Sequence, residues 1–340
     1  MLSTGIRRCS QYMGLPSPNI NQCIPSPFTS TTLTPITTTS TQTFFKVLIV
    51  AGQSQGKRLD DTELFNPYSE ENNCAKPMSY PLKIENLCGA GITFCGGYVD
   101  GIDFTNHCHE FKEGSWSKSL HLNYGRQSAV CTQLSNGSYW IGGGLDFNSA
   151  LQSTELRMYE NSEFVMSTNL PEPMERSCIS TINSTHFFIA GNAAGDGKRA
   201  YIVGVEQEDF MVTNLPSMNY ERFSGACGSL TTSSGELQLI VAGGANPNSR
   251  QTIEIFSYAQ NNWRLIGDAL PRGFEYGGYI SDSQHPLILI GGLDEHAEAR
   301  DDIMEFKYED GSPTFEYLPG KMDTRRQYFA ATGLYTEDDC

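Results

Sequence analysis

Few residues in this chain are of a type that could do chemistry, and most of them are scattered. The stretch "HCHEF" sets His107 and His109 either side of Cys108, and residues at i and i+2 of a strand share a face. Two imidazoles there would make a metal-binding edge, but no third ligand has a readable position. His121 and His296 fall in polar loops, and His186 and His285 beside turns. The chain has no HExxH, no glycine-rich phosphate loop and no serine-centred nucleophile elbow. The residues therefore imply neither a metal nor any other cofactor, and the reading is non-catalytic.

The charged residues are more suggestive. Arg126, Arg176, Arg222, Arg272 and Arg325 recur along the chain, with Arg326 beside the last. An arginine fork suits a carboxylate or phosphate ligand, and it equally suits neighbouring backbone carbonyls. The loop "GGLDEHAEARDD" gathers Asp294, Glu295, Glu298, Asp301 and Asp302 around Arg300. Such a loop is either a solvated turn or an acidic lip for a basic partner, with room for loosely held calcium.

Ten cysteines (Cys9, Cys23, Cys74, Cys88, Cys95, Cys108, Cys131, Cys178, Cys227 and Cys340) make an even count. That fits disulfides without fixing their connectivity. Cys95 and Cys108 are placed on adjacent strands of one hairpin, within disulfide reach. A second candidate pair is Cys74 with Cys88. Cys131, Cys178 and Cys227 read as plain core residues. Asn136 in "NGS" and Asn183 in "NST" are glycosylation sequons at expected hairpin turns.

The elements that carry these residues are strands. Apolar runs of four to six residues, rich in Ile, Val, Phe and Tyr, are bounded by Gly, Asn, Asp, Ser and Pro. The net charge of −16 argues against a nucleic-acid partner, and no apolar run is long enough to span a membrane. Residues 1–43 contain no Asp or Glu, and "PSPFTSTTLTPITTTSTQT" is nearly all Thr, Ser and Pro. We expect a disordered tail or glycosylated stalk there, and an acidic tail at 337–340. The opening "MLSTGIRRCSQYMGL" lacks a signal-peptide core. It points to the cytoplasm, or to a chain that begins part-way into a longer product.

One motif recurs six times: "VLIVAGQ", "ITFCGGY", "YWIGGGL", "FFIAGNA", "LIVAGGA" and "LILIGGL". Counted at Gly52, Gly97, Gly143, Gly191, Gly244 and Gly292, the spacings are 45, 46, 48, 53 and 48. A period in that range signals a propeller or solenoid. A bulky residue follows each small pair (Phe65, Phe111, Tyr159, Val203, Phe256 and Phe306), then a second (Trp116, Phe164, Phe210, Trp263 and Phe315, with Cys74 in the first unit). After that come a turn, often Leu-Pro, and an arginine.

This pattern resembles the Kelch repeat of the galactose oxidase-like propeller superfamily. With "NNCAKP", "CGG", "HCHEF" and "GSWSKS" it is similar to the cysteine-bearing Kelch proteins of invertebrates. The resemblance implies an all-β, six-bladed propeller of four-stranded antiparallel sheets over 44–336. Its units are 44–86, 87–125, 126–175, 176–221, 222–271 and 272–324, and the closing strand 325–336 completes the first blade. It further implies a face, lined by the loops between second and third strands and those leading into each first strand, where proteins or peptides bind. The recurring arginines belong to that face. The family offers a secreted glycoprotein, an intracellular adaptor that presents a partner to a ubiquitin ligase or the cytoskeleton, and a copper oxidase-like enzyme. The cysteines, sequons and stalk favour the first, and oligomeric state is left open.

Overall fold

β-branched and aromatic runs pack best on a pleated surface, and glycine and proline between them cut the chain into short strands. The computed structural model describes residues 43–338 except 101–102, 135–137, 148, 152, 158–163, 207–208 and 310. Residues 1–42, Asn136, Tyr159 and the last two residues of the acidic tail lie outside that set. The described chain is all strand, turn and loop. It forms a six-bladed propeller whose blades each run antiparallel from the axis outward.

Blade 1 takes its inner strand from the C-terminus, Ala330–Thr336, followed by Phe44–Val50 and Thr62–Phe65. Blade 2 comprises Cys88–Ala90, Thr93–Cys95, His107–Lys112 and Ser115–His121. Blade 3 comprises Val130–Gln133, Tyr139–Gly142, Ser153–Arg157 and Phe164–Asn169. Blade 4 follows with Cys178–Thr181, His186–Ala190, Ala200–Glu206 and Asp209–Asn214. Blade 5 has Ala226–Thr231, Leu237–Ala242, Ile253–Ser257 and Asn262–Ile266. Blade 6 has Gly278–Ile280, Ile288–Ile290, Ile303–Glu309 and Ser312–Tyr317. The closing strand pairs as expected, from Phe44 opposite Thr336 to Val50 opposite Ala330. Blade 1 differs from the others in having three hydrogen-bonded strands. The segment after Phe65 leaves the blade, and the Met78 N–H donates to Gly114 O on the outer hairpin of blade 2.

Among the described residues, buried apolar side chains fall into six clusters, each filling one seam between neighbouring blades. Three of the bulky pairs read from the sequence sit opposite one another on third and fourth strands: Phe111 faces Trp116, Phe256 faces Trp263, and Phe306 faces Phe315. Val203 faces Val212 rather than Phe210, and Cys74 lies on no described fourth strand. Trp263 Nε1 also donates to Pro216 O at 2.8 Å, and Trp116 Nε1 to Met78 O at 3.0 Å. Each tryptophan thus ties its blade to the connection arriving from the previous one.

Two rings of backbone hydrogen bonds run around the axis. In the outer ring, the amides of Gly52, Gly97, Gly144, Asn192, Gly244 and Gly292 donate to Ile84, Arg126, Met174, Arg222, Phe274 and Arg326 in the next blade, at 2.7–3.1 Å. This explains the small pair. A Cβ on Gly96 would lie 2.5 Å from Arg126 O, and one on Gly243 would lie 2.3 Å from Phe274 O. Both glycines also have positive φ, which only glycine adopts freely. The pair in blade 3 is Gly143-Gly144 rather than Gly142-Gly143, and in blade 4 the second position is Asn192.

In the inner ring, each residue two places before an inner strand donates to its counterpart in the preceding blade. Asn86 bonds Tyr328, Ser128 bonds Asn86, Arg176 bonds Ser128, Ser224 bonds Arg176, Tyr276 bonds Ser224, and Tyr328 bonds Tyr276, at 2.6–3.1 Å. All six have φ of 52–58°. For residues with a side chain that conformation costs about 1–3 kcal/mol, and here it is held in place by the closed circle.

The cysteines correct two expectations. Cys95 and Cys108 are joined within blade 2 as anticipated, but Cys88 is joined to Cys131, not to Cys74. Cys178 and Cys227 form a further bridge, so Cys131, Cys178 and Cys227 are not plain core residues. The reason is geometric. Neighbouring inner strands converge at the axis, and the first residue of one lies beside the second residue of the next, at Cα–Cα 5.9 Å for Cys88–Cys131 and 5.3 Å for Cys178–Cys227. At the blade 6–blade 1 seam these positions hold Gly278 and Ala331, and a Cβ on Gly278 would lie 2.7 Å from that of Ala331.

Removing residues 325–340 takes away the inner strand of blade 1, one hydrogen bond of the outer ring and two of the inner ring. Such a chain is expected to lose its cooperative thermal transition by circular dichroism. A truncated protein melting at the wild-type temperature would contradict this closure. Replacing Cys88 and Cys131 together by alanine is expected to cost about 2–4 kcal/mol in urea unfolding.

Candidate recognition surface around the axis

The loops between second and third strands and the connections into each inner strand share one face. The five candidate arginines all lie on these connections, but most do not reach solvent. Arg126 is fully buried. Its Nη1 donates to Gly143 O and Ser153 O, both at 3.0 Å, and its Nη2 to Glu155 Oε1 at 3.0 Å. Arg222 repeats the arrangement in blade 5, with Gly243 O at 2.7 Å and Glu254 Oε1 at 3.1 Å. Arg326, rather than Arg325, repeats it in blade 1, with Ala51 O at 2.9 Å and the Glu63 carboxylate. Each glutamate also accepts a backbone N–H from the incoming connection: Asn123, Asn219 and Asp323 respectively.

These three clasps sit in alternate blades. Burial pulls the Arg126 and Arg222 guanidiniums below the usual arginine range, against the opposing pull of Glu155 and Glu254. Burial likewise raises Glu63, against the pull of Arg326. Blades 2, 4 and 6 carry Ile84, Met174 and Phe274 in place of the clasp arginine. Arg272 is held differently in blade 6, through Gly291 O at 2.9 Å and the Asp302 carboxylate. Arg126, Arg222 and Arg272 are therefore spent inside the blades and are not available to a ligand. Arg325 is exposed at the rim beside Asp301, at 3.5 Å.

Arg176 is the exception. It occupies an inner-ring position, partly exposed, with Nε 3.2 Å from Glu175 and its guanidinium carbon 5.6 Å from the Tyr276 ring centre. Tyr276 in turn packs against Tyr328, with ring centres 4.6 Å apart. Asn86, Ser128, Ser224, Tyr276 and Tyr328 complete this mouth. No sequence signal marked them, because residue type varies freely where only the backbone is constrained. Glu85, Glu175 and Glu275 stand just before the ring in alternate blades, paired with Arg58, Arg176 and Arg250 at 3.0, 3.2 and 3.1 Å. Buried side-chain oxygens at this end that have no hydrogen-bond partner among the described residues include Ser128 Oγ, Ser177 Oγ and Gln327 Oε1.

A cavity of about 380 Å³ lies along the axis, lined by inner strands and by the hydroxyls of Thr132, Ser180, Thr181, Ser281 and Thr332. Among the described residues its lining includes no Lys, Arg or His, and Asp282 supplies its one carboxylate. At the far end the Tyr335 phenol donates to Asp282 Oδ2 at 2.8 Å. Burial and that carboxylate raise the phenol's pKa, so Tyr335 fastens the closing strand to blade 6.

The acidic loop is less acidic towards solvent than it reads. Asp294 is buried and accepts from the His296 and Glu298 N–H groups, and Asp302 belongs to the Arg272 clasp. Glu295 accepts from Gly273 N–H, Asp301 lies beside Arg325, and Glu298 is exposed. Asn183 is exposed at the tip of a blade 4 hairpin on the opposite face. His107, His109 and His121 do come together, with ring centres 6.5 and 5.0 Å from His107. His109 is buried, however, and its Nδ1 is 3.0 Å from the Tyr80 hydroxyl. Among the described residues, no group of three or more His, Cys, Asp or Glu is placed to hold a metal ion. No described helix is long and apolar enough to cross a membrane.

A comparison with solved structures returns 425 chains, among them one titled "Structure of YjhT". It superposes with a TM-score of 0.65 at 13% identity, over 79% of this chain and 96% of that one. The likeness is one of fold. No protein-family model matches the chain, and no curated protein matches it either.

Two outcomes follow from this geometry. Arg222→Met strands Glu254 as a buried charge and is expected to cost about 3–5 kcal/mol in urea unfolding, whereas Arg176→Ala should stay within about 0.5 kcal/mol of wild type. Burial, followed by His107 and Lys118, pushes His109 down to about 4, against about 6.5 in an unfolded chain. The unfolded state therefore binds the extra proton between those values. The contribution of His109 is fully present above pH 6.5 and declines as pH falls towards 4. Melting temperature measured across that window should fall less steeply in His109→Gln, and an unchanged slope would clear His109 of the effect.

Proposed function

We propose that the protein is a non-catalytic Kelch-type recognition module, which binds a protein or peptide at the mouth of its loop face. The carrying observation is the inner ring, which fixes six backbone positions and leaves their side chains free to vary. Ser128 Oγ, Ser177 Oγ and Gln327 Oε1 lie there without a partner among the described residues, and buried polar atoms ordinarily have partners. Arg176, whose guanidinium lies by the Tyr276 ring, supplies a planar donor fork suited to a carboxylate. Arginine and tyrosine are also the residue types that dominate binding hot spots.

The extracellular setting is part of this reading. Three bridges between described cysteines fit an oxidising compartment, and the sequons at Asn136 and Asn183 would be usable there. An intracellular adaptor is the alternative, and it would keep those thiols reduced.

Peptides selected from a displayed random library on the intact chain test the proposal. The expected ligands carry an Asp, a Glu or a free C-terminus, and they bind Arg176→Ala at least tenfold more weakly, about 1.4 kcal/mol. Selected peptides that bind Arg176→Ala as well as wild type would move recognition away from the mouth.

A further inference from the structure

On the loop face, four side chains from three blades form a row. Arg58, from the loop of blade 1, lies over the Tyr98 ring at 4.4 Å. Tyr98 meets Phe104 at 5.7 Å between ring centres, and Phe104 meets Phe147 of blade 3 at 5.0 Å. Phe147 is 67% exposed, and Tyr124 is 60% exposed in the neighbouring connection, whose Gly125 abuts the Phe104 carbonyl. These rings fill no seam, since none of them belongs to a core cluster. Tyr98 and Phe104 are half-buried and Phe147 and Tyr124 exposed, and aromatic surface left outside the seams in this way marks an interaction site.

Charge selects the occupant. Arg58 is shared between the Glu85 and Asp100 carboxylates, so the row carries no uncompensated cation. The Asp100 side chain is 73% exposed at one end, and Asp146 caps the turn before Phe147 by accepting from the Ser149 N–H. The chain as a whole has a net charge of −16, which repels a second copy and draws a basic partner.

We infer that this row, on the rim of blades 1 to 3, is a docking surface for a polypeptide segment that presents an aromatic anchor flanked by lysine or arginine. It meets the mouth at Glu85, which pairs with Arg58, and carboxylate-bearing peptides held at Arg176 should be unaffected by changes at Phe147 and Tyr124.

Three fluorescein-labelled peptides of equal length test it on the intact chain by fluorescence anisotropy. One carries phenylalanine flanked by lysines, one serine flanked by lysines, and one phenylalanine flanked by glutamates. The lysine–phenylalanine peptide is expected to bind best, and to lose at least tenfold in Phe147→Ser/Tyr124→Ser and about threefold in Asp100→Asn. Both sets of changes are at exposed positions, and an unchanged melting temperature verifies the fold. Equal binding of all three peptides, or binding that survives the double substitution, would overturn the inference. So would a wild-type dimer in sedimentation that the double substitution dissociates, because the occupant would then be a second copy.

Discussion

The structure depends on the approach of backbone to backbone between neighbouring blades. Each blade is a small sheet that cannot cover both its faces. Packing of side chains in the seams supplies most of the adhesion, but side chains alone do not fix a rotation about the axis. The two hydrogen-bonded rings do so. Their spacing is possible because Gly96, Gly143, Gly191 and Gly243 lack the Cβ that would strike the next blade's carbonyl. A residue at any of these positions must satisfy two neighbours at once, and for that reason the double glycine recurs where so little else does.

The buried arginines follow from the same constraint. Turning the chain into each inner strand leaves carbonyls at the glycine pair and the third strand facing inward, where water does not reach. In blades 1, 3 and 5 a guanidinium fork gathers them and a glutamate balances its charge. Blades 2, 4 and 6 fill the space with Ile84, Met174 and Phe274. The alternation gives the molecule a threefold character beneath its six blades, and the same rhythm places Glu85, Glu175 and Glu275 around the mouth. The likeness to "Structure of YjhT" extends over the propeller but carries no information about these side chains, because 13% identity describes a shared backbone.

Much of the architecture was legible in the sequence. Period, strand type, aromatic pairs and the closing C-terminal strand follow from hydrophobic pattern and turn residues, which act locally. The arginines were legible as a repeat but not by role: a buried fork and a solvent-facing one look alike until the partner glutamate, 29 residues after Arg126, 32 after Arg222 and 263 before Arg326, is placed beside them. Cys131 and Cys227 resembled core cysteines because their partners come from another blade, and convergence at the axis is a property of the closed ring. The inner ring left no trace, since Asn, Ser, Arg and Tyr all adopt its left-handed turn when the circle holds them. Tyr98, Phe104 and Phe147 went unmarked for a related reason: exposure is decided by the loops around a residue, not by its type.

The Gly278 and Ala331 pair, where the other two seams of its kind carry cystines, gives the circle an orientation. Phe44–Val50 and Ala330–Thr336 both belong to blade 1, and among the described residues no disulfide crosses this seam. Force drawing Phe44 away from Thr336 would peel the closing strand from its neighbour pair by pair, and the ring would part inside blade 1, like a bracelet at its hook, with the other five blades still in an arc.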